Sequence, residues 1–158
     1  MAMTPEQPDL LKGLTEEQAA GVLSLGQRAS LAPGAVLFRL GDGAECVYLI
    51  RRGRIALTLP MQIGGRAQDV VIEEHVPGQT LGWSALIPPH RFTLTATAPL
   101  ATELLAFRRV DLLPYCAANP EVGAAVALNI AAVIGQRLQV FQAMWLRQMQ
   151  RAVSQVHA

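Results

Sequence analysis

Between Ser30 and Arg108 the chain is cut into short β-prone runs by glycine and proline, and this punctuation restricts the possible fold more than any other feature. The clearest runs are Val36–Phe38, Cys46–Ile50, Ile55–Leu59 and Val70–Ile72, followed by Phe92–Ala98 and Ala101–Phe107. Turn signals separate them at Pro33-Gly34, Gly41-Asp42-Gly43, Gly53, Gly64-Gly65 and Pro77-Gly78. Parallel strands need long crossover connections, and no run of helical length lies between these segments. The expectation is therefore an antiparallel sandwich or barrel.

The flanks read as helices. Thr15-Glu16-Glu17-Gln18 fits a capping box, with Leu14 and Ala19 as a hydrophobic staple, Val22 and Leu23 continuing the apolar face and Gly26 closing it. Met1–Pro8 reads as a loose terminus. At the other end, Asn119-Pro120-Glu121 combines an N-cap, a proline at the first helical position and an acid in the first turn. No proline follows, so one helix is expected from Pro120 to about Val156, roughly 55 Å at 1.5 Å per residue. The division expected is a helical segment at 1–28, a β region at 29–108 and C-terminal helices at 109–158, all within one domain.

Such a helix outruns a small β domain, and its apolar side needs a cover. Ile134, Leu138, Phe141, Trp145 and Ala152 follow a spacing like that of a coiled-coil seam, interrupted at Gln148. A homodimer through Ile134, Leu138, Phe141 and Trp145 is expected; the alternative is a helix folded back on its own β region.

Composition narrows the class. With 51% hydrophobic and 16% charged residues, the 158-residue chain has the makings of a packed core. Its 13 Lys+Arg against 12 Asp+Glu give a formal net charge of +1, too little for a bulk phosphate-binding field. Two cysteines make no disulfide framework, and the first residues lack the charged, apolar and cleavable parts of a signal peptide. The stretch Val122–Gly135 is broken by Asn129 and falls short of the about 20 residues that span a bilayer. A cytoplasmic protein without membrane attachment is expected.

Several segments together resemble a known family. Pro33–Ala44, Val47–Ile55, Val76–Gly82, Ala85-Leu86 and Arg91 resemble, in order and spacing, the cyclic nucleotide-binding domain of the catabolite activator protein and fumarate-nitrate regulator superfamily. The resemblance runs from about Leu11 to Leu138. It implies a mainly β fold, a double-stranded antiparallel β-roll in jelly-roll order, with an N-terminal helix and a long C-terminal helix. It also implies a phosphate cassette: Gly82 at the family's glycine, Ser84–Ile87 as a short helix offering N–H groups, and Arg91 as the arginine that pairs with the cyclic phosphate. Helix N-termini and guanidinium forks are suited to phosphate. The candidate ligand-binding set is Gly82, Trp83, Ser84, Ala85, Arg91 and Phe92, with cyclic AMP or cyclic GMP as the implied ligand and no other cofactor.

The cassette departs from the family pattern. Trp83 stands where the family has the glutamate that holds the ribose hydroxyl; indole accepts no hydrogen bond and fills more volume. The loop Pro88-Pro89-His90 is about one residue short, and Phe92 replaces a small or hydroxyl residue. Arg91 then has two readings: exposed or paired with Glu73, Glu74 or Glu103, or facing an interior pocket where it holds an anion. Trp83 is either a stacking surface for a base or simply core.

No catalytic set is present, and the protein is not expected to be an enzyme. The histidines His75, His90 and His157 are scattered, with His75 expected on a strand surface and His157 at a frayed end. Cys46 and Cys116 lack metal or redox spacing. Arg51, Arg52 and Arg54 suit a solvated turn, and Arg108-Arg109 the junction of last strand and helix. Family transcription factors continue into a DNA-reading helix-turn-helix; with the sequence ending at Ala158, a stand-alone regulatory or sensory module without direct DNA binding is expected. It would signal through its C-terminal helix to a second copy or another protein. The alternative is a degenerate domain that binds no nucleotide and serves dimerisation or protein interaction.

Overall fold

The computed structural model describes residues 7–156. The expectations for most of Met1–Pro8 and for His157 lie outside those residues. After a 3-10 turn at Asp9–Leu11, helix α1 spans Glu16–Leu23. Strands follow at Gln27–Leu31 (β1), Val36–Phe38 (β2), Cys46–Arg52 (β3), Ile55–Ile63 (β4), Arg66–His75 (β5), Thr80–Leu81 (β6), Thr95–Thr97 (β7) and Thr102–Arg108 (β8). Two helices, α2 at Arg109–Ala118 and α3 at Pro120–Val156, complete the chain. The strands form two antiparallel sheets of four, ordered β1-β8-β3-β6 and β2-β7-β4-β5. This is the two-sheet roll with an N-terminal and a long C-terminal helix.

The sheets meet over a core of apolar strand residues. Val47 and Leu49 of β3, Ile55 and Leu57 of β4, Ala96 of β7 and Leu104 and Phe107 of β8 are all buried. Leu10, Leu11, Val22, Leu112, Val122, Val126 and Ile130 extend that core under the helices.

Local signals at the N-terminus behave as expected. Gln18 N–H donates to the Thr15 hydroxyl, and Thr15 N–H to the Gln18 side chain, closing the capping box. Asn119 does not act as expected: its side-chain amide donates back to the Tyr115 carbonyl, tying down the end of α2. Polar, exposed β1 begins ahead of the expected β texture, because an edge strand needs little apolar alternation. The expected strand Phe92–Ala98 shortens to β7. Phe92 N–H donates instead to Asp42 O, and Gly41 N–H to Phe92 O, fastening this segment to the β2–β3 loop.

Helix α3 has 37 residues, ~55 Å of axis. Val122, Val126 and Ile130 dock it on the core, and Asn129 donates to the carbonyls of Leu10 and Lys12, holding it against the N-terminal turn. By length and composition alone, α3 taken whole is long and apolar enough to cross a bilayer. Of the expected seam, Ile134 and Phe141 pack against the roll, whereas Leu138 and Trp145 are exposed. Docking takes up one side of the helix, and the unpaired row lies a step round from it.

The β3–β4 turn depends on Gly53. Its φ is +88°, and an added Cβ would lie 2.5 Å from the Ala101 carbonyl oxygen. Gly53→Ala is expected to lower unfolding free energy by about 1–3 kcal/mol, read from urea denaturation midpoints.

Candidate functional site

The cassette is built on the exit from β6. Gly82 turns the chain with φ +83°, and a Cβ there would lie 2.9 Å from the Cys46 carbonyl oxygen, so the position requires glycine. The short helix expected over Ser84–Ile87 is a 3-10 turn at Trp83–Ala85, with Ser84 and Ala85 buried. Of its amides, that of Ala85 is bound to Gly82 O; Leu86 N–H donates to Trp83 O. The following loop contains a cis Pro88–Pro89 bond and places His90 at φ +58°. The His90 ring lies 3.2 Å from Ser84 O, and Ala44 N–H donates to His90 O, folding the loop onto the turn.

The two aromatic departures close the interior. Phe92 is buried and stacks on Phe38, with ring centroids 3.6 Å apart and planes 7° from parallel. Tyr48 stacks more loosely on Phe38, with centroids 6.1 Å apart. Trp83 is half-buried against the core. The space left among Phe38, Leu57, Gly82, Trp83, Phe92 and Arg137 is about 10 Å³. One water needs roughly 10–15 Å³ by this measure, and small-molecule sites start near 300 Å³.

Arg91 does not line that interior. It is exposed, and its Nη1 donates to the Gly41 carbonyl at 3.0 Å, beside the β-bridge between Arg91 and Gly43. None of Glu73, Glu74 and Glu103 is its partner: Glu74 lies 3.7 Å from Arg54, and Glu73 is engaged elsewhere. Gly82, Trp83, Ser84, Ala85 and Phe92 are thus brought together, while Arg91 faces away from them.

The buried cation beside the cassette is Arg137 of α3. Its Nε lies 3.0 Å from Glu73 Oε2, which His75 Nε2 also approaches to 3.0 Å. His75 is 8% exposed, not on the surface as expected. Glu73 and His75 sit two apart on β5 and share its inward face, where the helix covers them. Burial alone would raise the Glu73 carboxyl, but the His75 hydrogen bond and the Arg137 guanidinium outweigh it and hold the group below its ordinary value. Glu73 Oε1 and His75 Nδ1 are buried without partners. The sequence carried a signal for Arg137: it continues the buried row Val122, Val126, Ile130 at helical spacing.

A second arginine also escaped notice as a site residue. Arg109, half-buried at the start of α2, donates through Nη1 to the carbonyls of Ala44 and Ala85, clamping the cassette turn to the helix. Near Gly82, burial pushes the Tyr48 hydroxyl up to about 12 and raises the Cys46 thiol, so neither is an ionised nucleophile at neutral pH. Among the described residues no cluster of three His, Cys, Asp or Glu could hold a metal ion.

The depressed Glu73 carboxyl stabilises the fold above its ordinary value near 4.5, and that contribution is lost as pH falls through the lower folded value. Unfolding free energy is therefore expected to fall more steeply below pH 4.5 in the natural protein than in Glu73→Gln, measured by urea titration at stepped pH.

Comparison with known proteins gives a consistent neighbourhood. The cyclic nucleotide-binding domain family matches residues 28–119. The cyclic AMP receptor protein of Thermus thermophilus is 31% identical over 130 residues, covering 82% of this chain and 57% of the receptor. The crystal structure of the Thermus thermophilus catabolite activator protein superposes with a TM-score of 0.73 at 29% identity, covering 90% of this chain and 63% of that one. The N-terminal domain of a transcriptional regulator from Streptomyces coelicolor gives 0.68 at 27% identity, covering 84% and 91%.

Proposed function

We propose, because this chain belongs to the cyclic nucleotide-binding domain family, that it is a regulatory module whose nucleotide pocket is filled by its own side chains. Its output is self-association through α3. The observation that carries this reading is the about 10 Å³ left where a nucleotide would need a cavity some thirty times larger. Arg91, the residue that would meet a cyclic phosphate, is turned to solvent. The other reading, a nucleotide or other anion held at the cassette, requires Phe92 and Phe38 to part and Arg91 to swing inward.

The support for self-association is the stretch of α3 from Gly135 onward. Gly135, Leu138, Gln142, Trp145, Met149, Ala152 and Val156 recur at alternating steps of three and four, the spacing of a paired-helix seam. Leu138 and Trp145 are 57% and 63% exposed. Gln142 is the polar residue within the row, the kind of position that fixes register between two helices. A row of this length exposed to water is costly for a lone chain, and a second copy offers the matching surface. A cytoplasmic location suits such a module, with a further protein reading the paired helices.

Two measurements test the two halves of this reading. Isothermal calorimetry with cyclic AMP and cyclic GMP is expected to show no saturable heat; heat that disappears in Arg91→Ala would sink the filled-pocket reading. Light scattering at micromolar concentration is expected to give twice the chain mass, and Trp145→Asp the single-chain mass, since an unpaired carboxylate in the seam is costly to desolvate. A monomeric natural protein would overturn the self-association.

A further inference from the structure

Away from the cassette, the sheet that carries β1, β8 and β3 holds a charged groove. Its volume is about 540 Å³, and it is bounded by Leu23 of α1, Gly26, Arg28 of β1, Glu103 and Leu105 of β8 and Arg51 of β3. Small-ligand sites run from roughly 300 to 1,000 Å³. Arg28 lies opposite Leu105, and Ser30 opposite Glu103, so Arg28 and Glu103 project from the same face of the sheet. Arg51 is the extra residue of a bulge, since Ile50 pairs with Leu104 and Arg52 with Glu103. A bulge re-aims a side chain, and this one brings Arg51 to the groove.

The charges stand in a fixed order. β8 lies between β1 and β3, so Glu103 has one arginine on each side, with the two arginine backbones about 10 Å apart across the strands. All three residues are exposed, and none forms an ion pair among the described residues, whereas Arg54 pairs with Glu74 and Arg108 with Asp111. Two guanidinium forks suit two carboxylates. A ligand with anionic groups alone would leave Glu103 facing like charge, so the complement of this groove is a pair of carboxylates together with an ammonium. An extended peptide with a free amino end supplies that set: its first and third side chains share one side, about 7 Å apart. Half-buried Leu23 and Leu105 offer apolar surface to the methylenes between them.

We infer that this groove binds the free amino end of an acidic peptide, with the carboxylates of its first and third residues on Arg28 and Arg51 and its ammonium on Glu103. The three side chains are carried by neighbouring strands of one sheet, a rigid platform for recognition. The inference is independent of what occupies the roll interior and of whether α3 pairs with a second copy.

The test is a nuclear magnetic resonance titration of the full chain, at low ionic strength, with the peptide amide Glu-Ala-Glu-NH2. Saturable shifts are expected at the amides of Arg28, Ser30, Arg51 and Glu103. The N-acetylated peptide, which lacks the ammonium, and Glu-Ala-Gln-NH2, which lacks one carboxylate, are each expected to bind about fivefold more weakly. Arg28→Gln and Arg51→Gln are each expected to weaken the parent peptide by a similar factor with the urea midpoint unchanged. Glu103→Gln is expected to make the free and acetylated peptides equal, an outcome that general weakening of the fold would not produce. Absence of saturable shifts in the natural protein would overturn the inference. So would equal affinity of the natural protein for free and acetylated peptides, a preference for the free amino end that survives Glu103→Gln, or shifts centred on Gly82 and Trp83, which would place the peptide at the cassette.

Discussion

Two phenyl rings 3.6 Å apart and nearly parallel, Phe38 on β2 and Phe92 ahead of β7, determine what this roll can do. Burying a phenylalanine contributes about 1.5–3 kcal/mol, so parting the pair and exposing both costs about 3–6 kcal/mol. A micromolar ligand brings about 8 kcal/mol of binding free energy. A nucleotide entering this interior would lose much of its affinity to opening the stack, and what remained would lie between about 0.1 mM and tens of millimolar. The rings also help hold the neighbouring loops. Phe92 exchanges backbone hydrogen bonds with the Gly41-Asp42 turn, and this turn in turn receives the Arg91 side chain. The same substitution that fills the pocket therefore accompanies an arginine directed outward.

With the interior closed, the coupling between roll and helix runs through polar contacts. Arg137 and Glu73 join α3 to β5 at the last buried position of the helix, and Asn129 joins it to the N-terminal turn. Removing one partner of a buried pair leaves an uncompensated charge, typically a loss of about 3–5 kcal/mol. These contacts set the direction in which α3 leaves the domain, and hence which row of it faces outward. Arg109 does the corresponding work for α2, by holding the cassette turn and the β2–β3 loop with one guanidinium nitrogen.

Much of this arrangement was legible in the residues. The turn signals at Gly53, Gly64-Gly65 and Pro77-Gly78 lie at the ends of strands, and the capping box at Thr15 and the full length of α3 appear where local chemistry places them. The volume and chemistry of Trp83 and Phe92 pointed toward a crowded cassette. What could not be read were features decided by partners distant in sequence. Asn119 looks like an N-cap, but its amide finds the end of α2 first. His75 looks like a solvated strand residue, because its burial depends on a helix more than sixty residues later. Of the residues expected along the α3 seam, Ile134 and Phe141 pack against the core while Leu138 and Trp145 are exposed, a division that depends on which side of the helix the domain covers.

The filled interior is tested most directly by following the amide resonances of Gly82 and Phe92 and the indole N–H of Trp83 by nuclear magnetic resonance while cyclic AMP is added in large excess. These groups border the remaining space, so a ligand entering it must change their surroundings. The account predicts that all three stay in place. Saturable shifts confined to these three and to Arg137 would show that the stack opens, and would contradict it.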